Sequence, residues 1–428
     1  MLQLTKDNML YGILVFLWTE YLWEIYLAIR QFKKARKTKE IPGSLTNIMT
    51  KDTYDKARRY SIDKIKFGFV KDTFSIMLTS VVIYKGYLAD VWYFVEDMNL
   101  KIEGEVAASC MWLCLINTIQ TVFDLPLTIY YTFVLEENYG FNKQTATFFA
   151  WDRVKSYILG QVLMQPISAM VIVIIKYGGE YFFFWLWLAM GVITLLLMTI
   201  YPTVIAPLFD KYRPLEEGEL RTQIEALAAS LKFPLTKLYV VEGSKRSSHS
   251  NAYFYGFFNN KRIVLFDTLF ANPQAGGCSN EEILAVLSHE MGHWQYNHIG
   301  KNLLMIQVNL FLMFLAFSLI FKSPLIYQCI GFRAGLQPVI VGLIVTIQIV
   351  MLPYNALISF CMTCLSRRFE FQADSFADNL GRGEALSSAL VQLNKDNLGF
   401  PVYDNLFSSW HHSHPPLLER IAALKKSK

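Results

Sequence analysis

Disulfide scaffolding is excluded at the outset. The 428 residues carry six cysteines, Cys110, Cys114, Cys278, Cys329, Cys361 and Cys364, without dense or even spacing. Cys361 and Cys364 have the spacing of a metal or redox pair, but they fall in a hydrophobic run and are expected to be small packing residues. Charge is also scarce. Charged residues make up 18%, fewer than a soluble chain of this length normally carries. The net charge is only +5, and no long basic stripe interleaved with aromatics is present, so nucleic acid is not an expected partner. Internal repeats and low-complexity tracts are absent. The first apolar block contains Glu20 and Glu24, runs long and lacks a small-residue cleavage site. It is expected to be a retained span, not a cleaved signal.

What the chain has in excess is apolar surface. Hydrophobic residues reach 53%, aromatics 15%, and the mean hydropathy is +0.29. They stand in long blocks, as a bilayer requires. Seven blocks, near 8–29, 67–90, 107–134, 157–176, 181–206, 302–321 and 337–365, reach the ~20 residues of a membrane-crossing helix. Several contain charge: Glu20 and Glu24, Lys71 and Asp72, and Asp124, which is followed by Pro126 and an expected kink. Two readings stay open. Either these groups face an enclosed aqueous cavity, or the span limits put them at the interface.

The cluster Arg30, Lys33, Lys34, Arg36, Lys37 and Lys39 directly follows the first block and marks a cytoplasmic loop. Alternation then places the N-terminus and the acidic loop 91–105, with Glu96, Asp97, Glu103 and Glu105, on the lumenal side. Segment 207–301 and the C-terminus both fall on the cytoplasmic side. The expected divisions are five spans with their loops (1–206), a first protease part (207–301), spans six and seven (302–365) and a second protease part (366–428).

Segment 207–301 reads as a mixed folded region. Glu217 to Leu231 is an amphipathic helix pattern, and Lys237 to Val241 a strand. Ala252–Phe258 and Lys261–Phe266, joined through Asn259 and Asn260, read as a hairpin closed by a type I′-like turn. Ser279 and Glu282 form a capping-box pattern that starts the next helix.

That helix carries His289-Glu-Met-Gly-His293. Histidines at i and i+4 share one face, so both imidazoles can reach one zinc ion. Glu290 would lie toward the open side of the metal, placed to take a proton from water. A third ligand is required. His298 does not stand where the metzincin pattern puts its third histidine, and on a continued helix it points away. The better candidate is Glu370, with Asp374 one turn later. A carboxylate ligand followed by an acid that holds a ligating imidazole is a thermolysin-like arrangement. An acidic face paired with Arg367 and Arg368 is the bland alternative. Two further clusters stand out. Trp410 to Pro416 is rich in histidine, including His414. The stretch Ser247 to Tyr253, with Asn251, leads into the hairpin, where an exposed edge could align a peptide by strand addition.

Four segments together resemble the type I CAAX prenyl proteases: Asn251-Ala-Tyr-Phe-Tyr-Gly-Phe, Leu287-Ser-His-Glu-Met-Gly-His-Trp294, Ser366-Arg-Arg-Phe-Glu-Phe-Gln-Ala-Asp374 and Ser413-His-Pro-Pro-Leu-Leu-Glu-Arg420. The likeness covers almost the whole chain. It implies an all-α polytopic membrane protein, with seven transmembrane helices forming a barrel around a large chamber. A cytoplasmic gluzincin-like metalloprotease domain with a small β-hairpin accompanies it. It further implies one zinc ion held by His289, His293 and Glu370, Glu290 as general base, and Asn251 and His414 on the substrate backbone and tetrahedral intermediate. The implied substrates are prenylated protein C-termini, cut after the prenylated cysteine, in some members with a second upstream cut. The implied site is the endoplasmic reticulum membrane, often with the inner nuclear membrane, and Lys425 to Lys428 has dilysine-like spacing. The linker after Phe266 is short where some members carry a long insertion. The rival readings are a quality-control membrane zinc protease acting on unprenylated chains, and a non-enzymatic scaffold or transporter with a structural zinc.

Overall fold

The computed structural model describes residues 5–46, 49–98, 104–249, 251–256, 260–270 and 276–426. Glu103, Asn259 and with it the hairpin turn, part of the 267–278 linker, and Ser427 and Lys428 therefore lie outside the described residues.

The first two spans are long antiparallel helices, α1 (Lys6–Lys37) and α2 (Lys51–Lys85), each started by a threonine whose side chain accepts a backbone N–H. Gly86 ends α2 at φ +74° and lets α3 (Tyr87–Asp97) turn back. A Cβ on Gly86 would lie 3.1 Å from the Gly331 Cα, so only glycine permits this approach. Helix α4 (Glu105–Tyr130) runs through Pro126 and leaves through a π-helical turn, Tyr131–Glu136. Helices α5 (Ala146–Tyr177) and α6 (Phe182–Ile200) complete the first membrane bundle.

The chain then forms a four-stranded sheet with helix α7 (Glu219–Ser230). Its strands are β1 (Tyr212–Pro214), β2 (Leu235–Val241), β3 (Ala252–Tyr255) and β4 (Lys261–Phe266), in the order β1-β2-β4-β3. The expected hairpin is present as antiparallel β3 and β4, with Ala252 opposite Leu265. The sheet is larger than a hairpin: β2 runs parallel to β4, and β1 adds to its far side. Helix α8 (Asn280–Gln295) follows.

Helix α9 (His298–Ile320) re-enters the apolar bundle and a short α10 (Pro324–Gln328) leads to α11 (Val339–Val345). After a π-helical turn at Thr346–Val350, helix α12 (Leu352–Asn379) departs at 60° to the preceding segment. Among the described residues, six single helices are long and apolar enough to cross a membrane, or seven spans if this bent pair is one. Helices α13 (Gly383–Asp396), α14 (Asn405–His411) and α15 (Leu417–Lys426) close the chain. The fold is a mostly helical polytopic membrane protein with a small mixed sheet.

Two principal cores divide the work. Trp112, Ile172, Leu186, Phe317, Tyr327 and Val341 pack inside the membrane bundle. Ile224, Phe233, Leu265, Leu269, Ile283 and Leu287 form the core of the sheet lobe. The lobe is tied to α5 by buried charge: Arg246 meets both oxygens of Asp152, at 2.6 and 3.0 Å, and Asp210 at 2.7 Å. Arg30 near the end of α1 forms a bidentate pair with Asp404, which caps α14. These ties put 207–301 and the C-terminal helices at one end of the bundle. Of the charges in the spans, Glu24 and Asp72 line a cavity of 360 Å³ that also includes His411 and His412. Glu24 accepts from the Trp410 ring nitrogen at 2.8 Å. Lys71 and Asp124 instead lie on the exposed face. Cys361 and Cys364 are free and exposed, so they are not the packing residues expected from their apolar surroundings.

Candidate metal centre

Helix α8 begins with the full capping box: Ser279 accepts from the Glu282 amide and the Glu282 carboxylate accepts from the Ser279 amide. Ile283, Leu287 and Met291 anchor its apolar face in the lobe core. That fixes its rotation, so His289 and His293 present together on the side facing α12. Gly292 allows close contact there, since a Cβ would stand 3.1 Å from both the Ala373 Cα and the Phe376 Cβ. The approach of α12 brings Glu370 opposite the two histidines.

The facing atoms form a tight group. The two Nε2 atoms of His289 and His293 are 3.2 Å apart. Glu370 Oε1 is 3.3 Å from His293 Nε2, and Oε2 is 3.5 Å from His289 Nε2. One donor atom from each residue lies within 4.8 Å of the others. Hydrogen bonding behind the rings fixes their tautomers. Asp374 Oδ1 is 2.9 Å from His289 Nδ1 and can only accept, so that nitrogen carries the proton and Nε2 its lone pair. Behind His293, the Gln372 Oε1 accepts from His298 Nε2 at 3.0 Å. His298 Nδ1 then accepts from His293 Nδ1 at 2.9 Å, again leaving the Nε2 lone pair inward.

Two inward lone pairs and a buried carboxylate repel one another without a cation. Glu370 is 2% exposed, and its Oε2 has no hydrogen bond of good geometry among the described residues. Burial pulls the His289 imidazole down, but Asp374 and Glu370 outweigh it and raise it to about 9, so without a metal a proton takes the inward Nε2 lone pair in place of the cation. The group thus attracts positive charge, and two imidazoles with one carboxylate suit a zinc ion with one position left open.

The sequence comparisons point the same way. Residues 31–211 match the family model described as CAAX prenyl protease N-terminal, five membrane helices, and residues 214–428 match peptidase family M48. The CAAX prenyl protease 1 homolog of Mus musculus is 46% identical over 97% of this chain and 95% of that protein. The Homo sapiens homolog is 45% identical over 100% of this chain and 97% of that protein. The chain belongs to the CAAX prenyl protease 1 family. The crystal structure of S. mikatae Ste24p is 37% identical and superposes with a TM-score of 0.91, covering 99% of this chain and 100% of that one. The protein is therefore a membrane metallopeptidase of family M48.

Around the metal group, the protease places the remaining candidates unequally. Glu290 sits beside His289, and burial raises its carboxyl above the ordinary value against the pull of both histidines. His414 Nδ1 reaches Glu370 Oε2 at 3.0 Å while its side chain stays 72% exposed. The Glu370 carboxylate raises the His414 imidazole, with burial opposing. Asn251 is exposed immediately before β3, and its Oδ1 accepts from the Ala252 amide at 2.8 Å. Arg367 pairs with Glu419, not with Glu370 or Asp374.

Sequence reasoning assigned no role to one contributor, and read a second only as an interface or structural histidine. Arg420 is 8% exposed and grips Asp374 through Nε at 2.8 Å and Nη2 at 2.5 Å. Its signal was available: Leu417, Arg420, Ile421 and Leu424 form the buried stripe of α15, where an arginine is out of place unless paired. The other is His298 with Gln372. Helix α8 does not continue into His298, because Asn297 takes φ +51° and turns the chain back. His298 is buried, stacked on Phe369 at 4.0 Å, and touches the outer nitrogen of His293.

Proposed function

We propose that the protein is a zinc endopeptidase that removes the last three residues of prenylated CAAX proteins after the prenylated cysteine. The carrying observation is the convergence of His289, His293 and Glu370 next to an unpaired strand edge. Strand β3 packs against α8 and, among the described residues, pairs on one side only, with β4. An extended C-terminal peptide added to that edge would lie along the metal helix.

Bound zinc would polarise the scissile carbonyl and acidify water. His289, His293 and Glu370 would hold it, and Asp374 would keep His289 oriented. Glu290 takes the proton of the attacking water and delivers it to the leaving amine. His414, with its raised basicity, and Asn251 stabilise the oxyanion and hold the peptide backbone. The basic end of α1 supports a cytoplasmic protease lobe and a lumenal N-terminus under the positive-inside rule, in the endoplasmic reticulum membrane where the family resemblance puts the protein.

Mass spectrometry of a farnesylated C-terminal peptide tests the reading. The wild type is expected to release the terminal tripeptide and to leave the unfarnesylated peptide uncut. Glu290→Gln is expected to lose about 10²–10⁴-fold in rate while keeping its zinc. Equal cutting of both peptides would favour a quality-control protease, and full activity of Glu290→Gln would refute the mechanism.

A further inference from the structure

The end of α1 and the first half of α2 enclose a groove of 1010 Å³ that the proteolytic reading does not use. Its rim is wholly cationic: Lys33, Arg36, Lys37, Lys39, Arg58 and Lys66 line it, and no acidic side chain does. Arg58 and Lys66 have partners at its back, Asp55 at 3.4 Å and Asp63 at 3.0 Å. Lys33, Arg36, Lys37 and Lys39 form no ion pair among the described residues, although Arg36 lies 5.6 Å over the Phe32 ring. Four uncompensated cations in one concavity repel one another. A chain with a net charge of only +5 has no need to gather them for solubility.

The floor is apolar. Ile29, Phe32, Ile62 and Phe69 line it, with Phe32 and Phe69 in edge-on contact at 6.0 Å. Below it the surfaces of α1 and α2 continue with exposed Leu22, Tyr26 and Val70. The groove therefore straddles the boundary between the apolar band and water, at the end of the bundle where Arg30 meets Asp404. A site with phosphate-matching cations above and hydrocarbon-matching side chains below fits one chemistry from both ends.

We propose that this groove is a binding site for an anionic phospholipid of the adjoining leaflet. The headgroup phosphate would lie among Lys33, Arg36, Lys37 and Lys39, and the acyl chains along Ile29, Phe32 and Phe69. The volume is at the upper end for a small-molecule pocket, large enough for a phosphorylated headgroup and not merely a single ion. Basic pockets beside membrane helices recognise acidic headgroups in this way. Because Arg30 clamps the cap of α14, the occupied groove would also brace the segment leading to His414.

The test uses the full chain in nanodiscs of phosphatidylcholine, with and without phosphatidylserine or a phosphatidylinositol phosphate. Native mass spectrometry counts the lipids retained on release. The wild type is expected to retain anionic lipid in preference to phosphatidylcholine. Each removed cation should weaken retention about fivefold, so Lys33→Gln/Arg36→Gln/Lys37→Gln should lose roughly 100-fold. These side chains are exposed, and melting in pure phosphatidylcholine checks that the variant is folded. A charge-matched control on the sheet lobe, Lys211→Gln/Lys232→Gln/Lys237→Gln, should retain lipid normally, as should Lys33→Arg/Lys37→Arg. Equal losses in the groove and control variants would reduce the effect to diffuse attraction and overturn the site. Competition by inorganic phosphate or a soluble inositol phosphate at the lipid's own affinity would overturn the assignment to a lipid.

Discussion

His298→Phe removes one orienting contact from the metal group and little else. Phenylalanine keeps the flat ring that stacks on Phe369 at 4.0 Å and 10°. It deletes both nitrogens, and with them the chain from Gln372 Oε1 through His298 to His293 Nδ1. His293 then loses the acceptor that holds its proton on Nδ1 and its lone pair inward. Loss of such an outer partner weakens metal binding about 10–100-fold. At 1.4 kcal/mol per decade, this is about 1.4–2.8 kcal/mol of binding free energy. The cost to the apo fold is smaller, because the His293 side chain is 18% exposed and water can replace the acceptor. Titration of the purified protein with a competing zinc chelator measures the affinity, and elemental analysis measures stoichiometry. The expected result is one zinc per chain with a weaker affinity and near-normal melting without metal. An affinity within twofold of wild type would refute the orienting role. Complete loss of zinc would show instead that His293 cannot bind the metal without this contact.

Other perturbations separate the remaining parts of the site. Glu370→Ala is expected to reduce zinc content to background and abolish peptide cleavage, and a metal-loaded Glu370→Ala protein would contradict the ligand assignment. Arg420→Ala should destabilise the fold by about 3–5 kcal/mol, seen as a lowered melting temperature, because it strips the buried Asp374 carboxylate of its bidentate cation and leaves it only His289 Nδ1. Arg420→Lys should recover only part of this, since an ammonium cannot make the bidentate contact. Gly292→Ala should cost about 1–3 kcal/mol and slow peptide cleavage, because α8 and α12 must separate to admit the methyl group. Chelation should abolish hydrolysis, and added zinc should restore it.

The spans and the metal helix were legible because each follows from short-range rules. An apolar block of ~20 residues has few fates outside a bilayer, and the capping box before His289 fixes both the start and the phase of α8. The meeting of Glu370 with the two histidines was legible for a different reason: its spacing from Asp374 matches what a metal ligand and its supporting acid would require on one helical face. The sheet was less legible. Strand β2 pairs in parallel with β4 across the 19 residues 242–260, and β1 is only Tyr212–Pro214. Neither pairing leaves a local signature, whereas the β3–β4 hairpin does. The exposed cysteines were misjudged because apolar neighbours in a membrane helix face lipid as readily as they face protein.

His298 shows where periodicity itself misleads. Carrying the 3.6-residue repeat of α8 onward puts this side chain away from His289 and His293, and that is sound reasoning for a helix that continues. The helix stops, however, and Asn297 supplies the stop. Asparagine tolerates the left-handed region better than most residues, and at φ +51° it starts α9 in a new direction. The turn brings His298 back to within 2.9 Å of the His293 ring, on the side away from the metal group. One backbone conformation thus converts a residue that helical geometry discards into the partner that sets the tautomer of His293, a proposed zinc ligand. The physical requirement is a φ that Asn and Gly adopt at low cost and a β-branched residue does not. Asn297→Gly is therefore expected to preserve zinc affinity in the same chelator titration. Asn297→Val should weaken it about as much as His298→Phe does. If Asn297→Val bound zinc like the wild type, the turn would have no part in building the site.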